Sequence, residues 1–187
     1  MKVAISAGHN PASPGAVWAG LTEHEAARVW CKELKLDLEA YGFDVFEVPT
    51  GTLPRKIGAI NAEKCDLALE IHFNSDPGRK GRGSETLYMP GSVEGERFAR
   101  AIQSRLAAPC APDRGVKEAW YRMDRPGHVD FAGDEPGDEV VDAFCRLTYC
   151  PAVIVEPLFL HEPGVFPPTR AAITAIASGV ALYGLDA

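Results

Sequence analysis

Four residues that could bind a metal or transfer a proton lie next to the ends of predicted secondary-structure elements. His9 follows the first predicted strand, His72 ends the third, and Glu156 ends a late apolar strand. Glu23 lies in the first turn of the predicted helix that follows strand one. Because open parallel sheets bind ligands at the carboxyl ends of their strands, we expect these four side chains to meet at one edge of a sheet.

Two histidines and one carboxylate are a common ligand set for catalytic zinc, which keeps its fourth position for water. Zinc polarises a carbonyl and lowers the pKa of that water. A further carboxylate must then take the proton and pass it to the leaving amine, and Glu156 is the candidate. Each residue alone has a simpler interpretation, such as a hydrogen-bonded strand-end histidine or a glutamate favoured by a helix dipole. The zinc hypothesis therefore depends on their joint placement.

Hydrophobic periodicity predicts strands that alternate with helices. Thr22 and Glu25 form a capping-box pattern at the start of one helix. The predicted strands are 2–7, 43–48, 66–73, 84–89 and 151–157, and the predicted helices are 23–41, 53–64, 93–107 and a last one starting at Pro168. Segment 109–149 is predicted to hold one helix near 138–147 and otherwise loops. This order predicts an α/β fold, a single-domain three-layer sandwich over 1–187 with a mainly parallel central sheet flanked by helices.

Composition and charge indicate a globular domain and argue against two classes of function. The chain has 187 residues, of which 46% are hydrophobic and 24% charged, and this suits one domain with a sizeable core. The formal net charge is −7 and the basic residues are scattered, so we expect no nucleic-acid binding. No apolar run is long enough to span a bilayer, so we expect no membrane insertion.

The N-terminal segment Met-Lys-Val-Ala-Ile-Ser-Ala predicts a strand and not a signal peptide. It has one positive charge, a short apolar stretch and no Ala-x-Ala-like cleavage site. We therefore expect a protein made in the cytoplasm without a signal peptide.

The five cysteines include no Cys-x-x-Cys pair, which favours reduced thiols over a disulfide framework or a cysteine zinc site.

Several short motifs, taken in order, resemble one known enzyme family. Residues 5–10 (Ile-Ser-Ala-Gly-His-Asn) place Gly-His after the first strand, and residues 20–23 (Gly-Leu-Thr-Glu) supply the acidic residue that follows. Further matching segments are 15–16, 69–74, 83–88, 113–117, 151–156 and 159–160, and more loosely Arg55 with 61–62. Their order and spacing, which cover nearly the whole chain except 122–149, are similar to the zinc-dependent N-acetylmuramoyl-L-alanine amidases of bacterial cell-wall hydrolases and phage endolysins.

The resemblance implies one zinc ion bound by His9, Glu23 and His72, with Glu156 as the catalytic carboxylate. It implies that the enzyme hydrolyses the amide bond between N-acetylmuramic acid and L-alanine in peptidoglycan, which is the expected partner. The resemblance assigns no residue to substrate binding.

The chain departs from the family pattern at three places. One is Pro157-Leu158, which stands where the family more often has a small residue and Gly before Phe-Leu. Glu70 replaces a small residue two positions before His72. It lies on the same side of the strand, so it could orient a metal-binding histidine without itself contacting the metal. A salt bridge from Glu70 to a neighbouring basic residue is the alternative interpretation. Asn74 is a second candidate for a residue that supports the metal ligands. Segment 122–149 is a predicted insertion, either a lid or specificity loop over the peptide site or a surface excursion without a role. Its polar residues include His128, Asp130, Asp134, Glu135, Asp138 and Glu139.

Three functions fit the sequence to different degrees. The first is the amidase, and the second is another zinc hydrolase on this scaffold, such as a peptidase or a small-molecule amidohydrolase. The third is a non-catalytic wall-binding module, which would be expected to have lost part of the metal set. For the biological context we favour a phage or prophage endolysin, which a holin-type partner releases so that it acts on the cell wall. A bacterial enzyme is the alternative.

Overall fold

The computed structural model describes residues 1–125, 128–130 and 140–185. The strands are β1 (Lys2–Ala7), β2 (Val17–Trp18), β3 (Leu21–Thr22), β4 (Asp44–Glu47), β5 (Leu67–Ile71), β6 (Ser84–Tyr88), β7 (Asp113–Glu118), β8 (Trp120–Arg125), β9 (His128–Asp130), β10 (Val140–Val141) and β11 (Ala152–Glu156). The helices are α1 (Glu23–Ala40), α2 (Leu53–Ala62), α3 (Val93–Leu106), α4 (Ala143–Leu147) and α5 (Arg170–Leu185). The elements predicted outside 109–149 are all present, with ends that differ by no more than two residues.

Six strands form the central sheet in the order β4-β1-β5-β11-β6-β7. All neighbouring strands run parallel except β11 and β6, which are antiparallel. The central strands β5 (Leu-Ala-Leu-Glu-Ile) and β11 (Ala-Val-Ile-Val-Glu) are buried along their whole length. Apart from one glutamate in each, these are the near-continuous apolar runs expected for strands that helices cover on both faces.

Helices pack on both faces of the sheet, because successive side chains of a strand point to opposite sides. Val3 and Ile5 of β1 belong to the core shared with α1, α3 and α5, whereas Ala4 belongs to the core shared with α2 and α4. In the first of these cores, the fully buried Trp30 donates its indole N–H to the Val165 carbonyl at 2.8 Å. The predicted three-layer α/β sandwich with a mainly parallel sheet is confirmed.

The prediction of only one helix and loops over 109–149 is wrong. β7 extends the central sheet beyond β6, and β8, β9 and β10 form a separate three-stranded sheet. β7 is an edge strand of partly exposed, mainly polar residues (Asp-Arg-Gly-Val-Lys-Glu), so it lacks the apolar alternation by which strands are recognised in a sequence. Helix α4 is shorter than predicted, and α5 begins at Arg170, two residues after Pro168.

The predicted insertion 122–149 is described only in part. Residues 126–127 and 131–139, which contain most of its acidic side chains, lie outside the described residues. The lid hypothesis and the bounds of the insertion therefore stay predictions. At the C-terminal end of the segment, Phe144 is fully buried in the core on the α2 side, so this end is part of the packed domain.

The five cysteines are free, and all except Cys150 are buried. In the part of the chain that the structure describes, no helix combines the length and the apolar character needed to cross a lipid bilayer.

Candidate active site

His9 lies directly after β1, in a backbone conformation that is rare for residues with a side chain. Its φ angle is 59°, in the left-handed region, where non-glycine residues are uncommon and often functional. The preceding Gly8 still donates its N–H to the Ile71 carbonyl at 2.8 Å, so the sheet is regular up to this point. The His9 side chain keeps 25% of its surface exposed. It can therefore face both solvent and the sheet edge.

Glu23 is the first residue of α1, and the local sequence fixes its position. Thr22 is the N-cap, and its reciprocal hydrogen bonds with Glu25 complete the predicted capping box. The Glu23 carboxylate is buried, with Oε1 accepting from the Phe73 N–H at 3.1 Å and Oε2 accepting from the Ala16 N–H at 3.1 Å. The helix N-terminus further favours its negative charge.

His72 follows β5 and meets Glu23 together with His9. Glu23 lies between the two rings, with Oε2 at 3.0 Å from His9 Nε2 and Oε1 at 2.9 Å from His72 Nδ1. One ligand atom from each of the three residues lies within 4.8 Å of the others. Tetrahedral zinc with bonds of about 2.0–2.1 Å would place its ligand atoms about 3.3 Å apart, so this cluster fits the ion with only small adjustments.

Charge and hydrogen bonding keep this cluster ionised. Burial alone would raise the pKa of Glu23, but hydrogen bonds from His72 and His9 hold it well below its usual range. Burial alone would lower the pKa of His72, yet its hydrogen bonds to Glu23 and Glu70 raise it well above the usual value. The Glu23 carboxylate and the His72 ring thus each favour the charged form of the other.

Two glycines allow the cluster to close. A Cβ atom on Gly8 would lie 2.6 Å from the His72 ring. A Cβ on Gly15, whose φ angle is 77°, would lie 2.4 Å from the His9 ring and 2.5 Å from Glu23 Oε2. Since such separations are far below van der Waals contact, both positions require glycine for the side chains to occupy these places.

Glu156, at the end of β11, is a buried carboxylate whose burial is only partly offset by the charges of His72 and Arg114. It is 4% exposed, and its Oε2 atom has no hydrogen-bond partner among the described residues. Burial, and secondarily the charge of Glu85, raise the pKa of Glu156 to about 8. A carboxyl group that populates both its protonated and its ionised form near neutral pH is suited to proton transfer.

Glu85, directly opposite Glu156 in the antiparallel register of β6 and β11, has the contrary environment. It accepts hydrogen bonds from Asn74 Nδ2 at 2.7 Å and Arg114 Nε at 2.9 Å, and Lys117 Nζ lies 3.2 Å away. Burial opposes ionisation, but these contacts lower the pKa of Glu85. Asn74, a predicted supporting residue, thus contacts the neighbour of Glu156.

The second predicted supporting residue, Glu70, contacts His72 and also a lysine that the sequence analysis missed. Glu70 Oε2 lies 3.2 Å from His72 Nε2, and Oε1 lies 3.0 Å from Lys56 Nζ. Both alternatives weighed for Glu70, a histidine contact and a salt bridge, are therefore present. Arg55, which the family resemblance matched to a family arginine, is exposed, while the next residue, Lys56, is 3% exposed and reaches the site.

His24 is a further residue that the sequence analysis did not single out. Its Nδ1 lies 2.7 Å from the Gly8 carbonyl, and burial lowers its pKa, so the neutral ring donates this N–H. It thereby holds the backbone just before His9. The signal in the sequence was its place beside Glu23, on the buried side of the first helical turn.

A cleft of about 280 Å³ opens beside the cluster. Ala16 lines it and also donates its N–H to Glu23, so the cleft adjoins the candidate metal ligands. Arg79 lies over the Trp18 ring, 4.3 Å from its centroid, at the other wall. The candidate metal ligands and Glu156 are not among the residues that line this cleft, so it is a neighbour of the cluster and not the metal site itself.

A His-Glu-His set that can hold a metal, with a buried carboxyl group of raised pKa at the same sheet edge, is a residue set typical of metal-dependent hydrolases. The chain belongs to the N-acetylmuramoyl-L-alanine amidase family, whose sequence model matches residues 3–166. It is therefore an enzyme of the amidase class with peptidoglycan as the family's substrate, as the sequence motifs predicted. No curated protein matches the chain.

Solved structures share the fold at low sequence identity. Ami1 of Mycobacterium smegmatis, an N-acetylmuramyl-L-alanine amidase, has a TM-score of 0.78 at 19% identity over 100% of this chain and 98% of its own. The catalytic domain of the endolysin CD27L, which targets Clostridia difficile, has a TM-score of 0.69 at 21% identity over 100% and 97%. Cwp6 from Clostridium difficile has a TM-score of 0.74 at 20% identity, and the match covers 99% of this chain but only 29% of Cwp6.

Proposed function

We propose that this protein is a zinc-dependent N-acetylmuramoyl-L-alanine amidase that cleaves the amide bond between N-acetylmuramic acid and L-alanine in peptidoglycan. The observation that carries the zinc dependence is the position of Glu23 between His9 Nε2 and His72 Nδ1, at 3.0 and 2.9 Å. Two imidazoles and a carboxylate suit zinc better than the oxygen-seeking divalent cations.

His9, Glu23 and His72 would hold the ion. When bound, zinc polarises the amide carbonyl and makes a water molecule acidic enough to react near neutral pH. Hydrogen bonds to Glu23 from the Ala16 and Phe73 amides keep its carboxylate oriented before any metal arrives. This preorganisation reduces the rearrangement that binding requires.

Glu156 carries the proton in the proposed reaction. As a carboxylate it accepts a proton from the attacking water, and as a carboxylic acid it gives that proton to the departing nitrogen of L-alanine. The products are the lactyl carboxylate of the sugar strand and a peptide with a free amino terminus. A pKa of about 8 leaves a usable fraction of each form near neutral pH.

The test is digestion of purified peptidoglycan by zinc-loaded protein, with products identified by mass spectrometry. We expect intact sugar strands and peptides that begin with L-alanine. Glu156→Gln should lower turnover by about 10²–10⁴-fold while zinc content stays at one ion, whereas His72→Ala should lose the zinc as well. Glu63→Gln, which removes an exposed carboxylate on α2's C-terminal side, is the control and should match the wild type.

Three results would contradict the proposal in different ways. Cuts within the peptide would make the protein a zinc peptidase. Unchanged turnover in Glu156→Gln would remove the proton-transfer role of that residue. Full activity after exhaustive chelation would remove the zinc dependence but leave the amidase class intact.

The endolysin role stays a prediction, because the same fold occurs in the mycobacterial Ami1 and in the CD27L endolysin domain. Expression inside a bacterial host, with and without a holin-type membrane-permeabilising protein, tests it. We expect lysis only when both proteins are made. Absence of lysis, despite activity on isolated peptidoglycan of the same host, would favour a bacterial maintenance enzyme.

A further inference from the structure

A buried ion pair lies behind one of the candidate zinc ligands. Lys56 of α2 and Glu70 of β5 are each 3% exposed, and Lys56 Nζ lies 3.0 Å from Glu70 Oε1. Lys56 also donates to the Ala7 carbonyl, and the Ser6 hydroxyl donates to Glu70 Oε1 at 2.9 Å. Lysine and glutamate are almost never buried unless paired, so the two residues require each other.

Stability alone does not account for this pair. Desolvation of two charges offsets most of their attraction, and apolar residues of similar volume often replace buried ion pairs without loss of stability. Glu70, however, makes a third contact, from Oε2 to His72 Nε2 at 3.2 Å. Its two oxygens therefore have different partners, since Lys56 and Ser6 hold one and His72 contacts the other.

The contact with His72 fixes which ring nitrogen is available to a metal. A ligating histidine must leave one nitrogen unprotonated, and a hydrogen bond from the other nitrogen sets the tautomer and the ring orientation. His72 Nδ1 faces Glu23, and Nε2 faces Glu70 on the opposite side of the ring. Gly8 lies so close to the ring that it could not carry a Cβ, which further limits rotation.

We infer that Glu70, held in place by Lys56, is a positioning residue that accepts the Nε2–H of His72 and thereby presents Nδ1 to the metal. The expected effect of Glu70 on metal binding rests on the proposed zinc function. The hydrogen bond itself, however, can be tested without zinc. Neither Glu70 nor Lys56 contacts the reacting atoms.

The test compares double variants in which no unpaired buried charge remains. Glu70→Leu/Lys56→Met removes the acceptor, and Glu70→Gln/Lys56→Met keeps an amide oxygen in its place. We expect the first to bind zinc about 10–100-fold more weakly than the wild type in chelator competition, and the second to recover most of that loss. Gln103→Leu, which removes a buried polar side chain on α3 away from the cluster, controls for general destabilisation and should leave zinc affinity unchanged.

A second readout concerns the proton itself. In metal-free protein, the His72 Nε2–H should give a slowly exchanging proton resonance by NMR in the wild type. It should be lost in Glu70→Leu/Lys56→Met and retained in Glu70→Gln/Lys56→Met. Thermal unfolding of the metal-free variants checks that each is folded.

The two readouts separate the inference from the proposed function. Equal zinc affinity in wild type and Glu70→Leu/Lys56→Met, or persistence of the protected proton in that variant, would overturn the inference. If the wild type binds no zinc, the zinc function fails, and the NMR comparison still decides whether Glu70 orients His72. Should the leucine variant not fold, loss of the protected proton in Glu70→Gln/Lys56→Met would overturn the inference.

Discussion

Replacing Glu156 by glutamine should stabilise the metal-free protein, and the gain should grow with pH. Burial raises the pKa of Glu156 from an ordinary value of 4.5 to about 8. Below pH 4.5 the carboxyl group is protonated in the folded and the unfolded chain, so it has no pH-dependent effect. Between 4.5 and 8 the unfolded chain releases the proton and the folded chain keeps it, so the wild type loses stability as the pH rises.

The size of this effect follows from the pKa difference. One pKa unit corresponds to about 1.4 kcal/mol. The carboxyl group therefore costs the wild type less than about 1 kcal/mol at pH 5, about 3 kcal/mol at pH 7 and about 5 kcal/mol at pH 9. Glutamine has nearly the same shape and does not titrate, so any packing change it causes adds a constant that does not vary with pH.

The assay is chemical or thermal unfolding of wild type and Glu156→Gln in chelator, from pH 5 to pH 9. Between pH 5 and pH 7 the difference in unfolding free energy should widen by about 2–3 kcal/mol, or about 5–10 °C in melting temperature. Glu63→Gln, an exposed change, should run parallel to the wild type. If the difference in unfolding free energy between the wild type and Glu156→Gln stays constant with pH, Glu156 is solvated or paired, and the reasoning is refuted.

Zinc should reduce this difference. Glu23 and His72 already act electrostatically on Glu156, so a divalent cation held by them would favour the ionised carboxylate. We therefore expect the stability curves of wild type and Glu156→Gln to converge when excess zinc replaces the chelator. Divergence with zinc would place the metal elsewhere.

Three further predictions concern single substitutions. Gly15→Ala should lower turnover about 100-fold and weaken zinc binding as measured by calorimetry, because the new Cβ would lie 2.4 Å from the His9 ring at a φ angle of 77°. Zinc binding as tight as that of the wild type would show that the site does not need the backbone of residue 15 to lie so close to His9. Glu85→Gln should move the acid limb of the kcat/KM profile to lower pH, since it removes a negative charge that raises the pKa of Glu156; a shift to higher pH would contradict this. Phe144→Ala should cost about 3–5 kcal/mol in urea unfolding, because the ring is fully buried, and a cost below about 1 kcal/mol would refute its place in the core.

The sequence was sufficient to bring the candidate ligands together because local rules fix each of their positions. His9 and His72 follow parallel strands, whose carboxyl ends must lie at one edge of the sheet. Glu23 is placed by the capping box of Thr22 and Glu25, which determines where α1 begins. None of these inferences required knowledge of distant contacts.

The supporting residues could not be placed with the same rules. Lys56 belongs to the buried stripe of α2 with Ile57 and Ile60, so the helical period contained its signal. A charged residue in such a stripe indicates a buried partner, but the partner, Glu70, lies on a different element and only the fold brings them together. The edge strand β7 was missed for a related reason, since its pairing with β6 comes from tertiary structure and not from an apolar pattern.

Glu85 near the start of β6 and Glu156 at the end of β11 show how the same side chain acquires two chemical roles. Glu85 and Glu156 are opposite each other in the register, an arrangement in which like charges repel. Arg114 and Lys117 contact Glu85 and stabilise its charge, while Oε2 of Glu156 has no hydrogen-bond partner in the described ranges. The environments therefore push the two pKa values apart, and the group left protonated near neutral pH is the one suited to carry a proton. It follows that the expected pH-dependent cost of Glu156 to stability and the proposed proton transfer share one cause, so Glu156→Gln should raise the stability of the metal-free protein and lower turnover together.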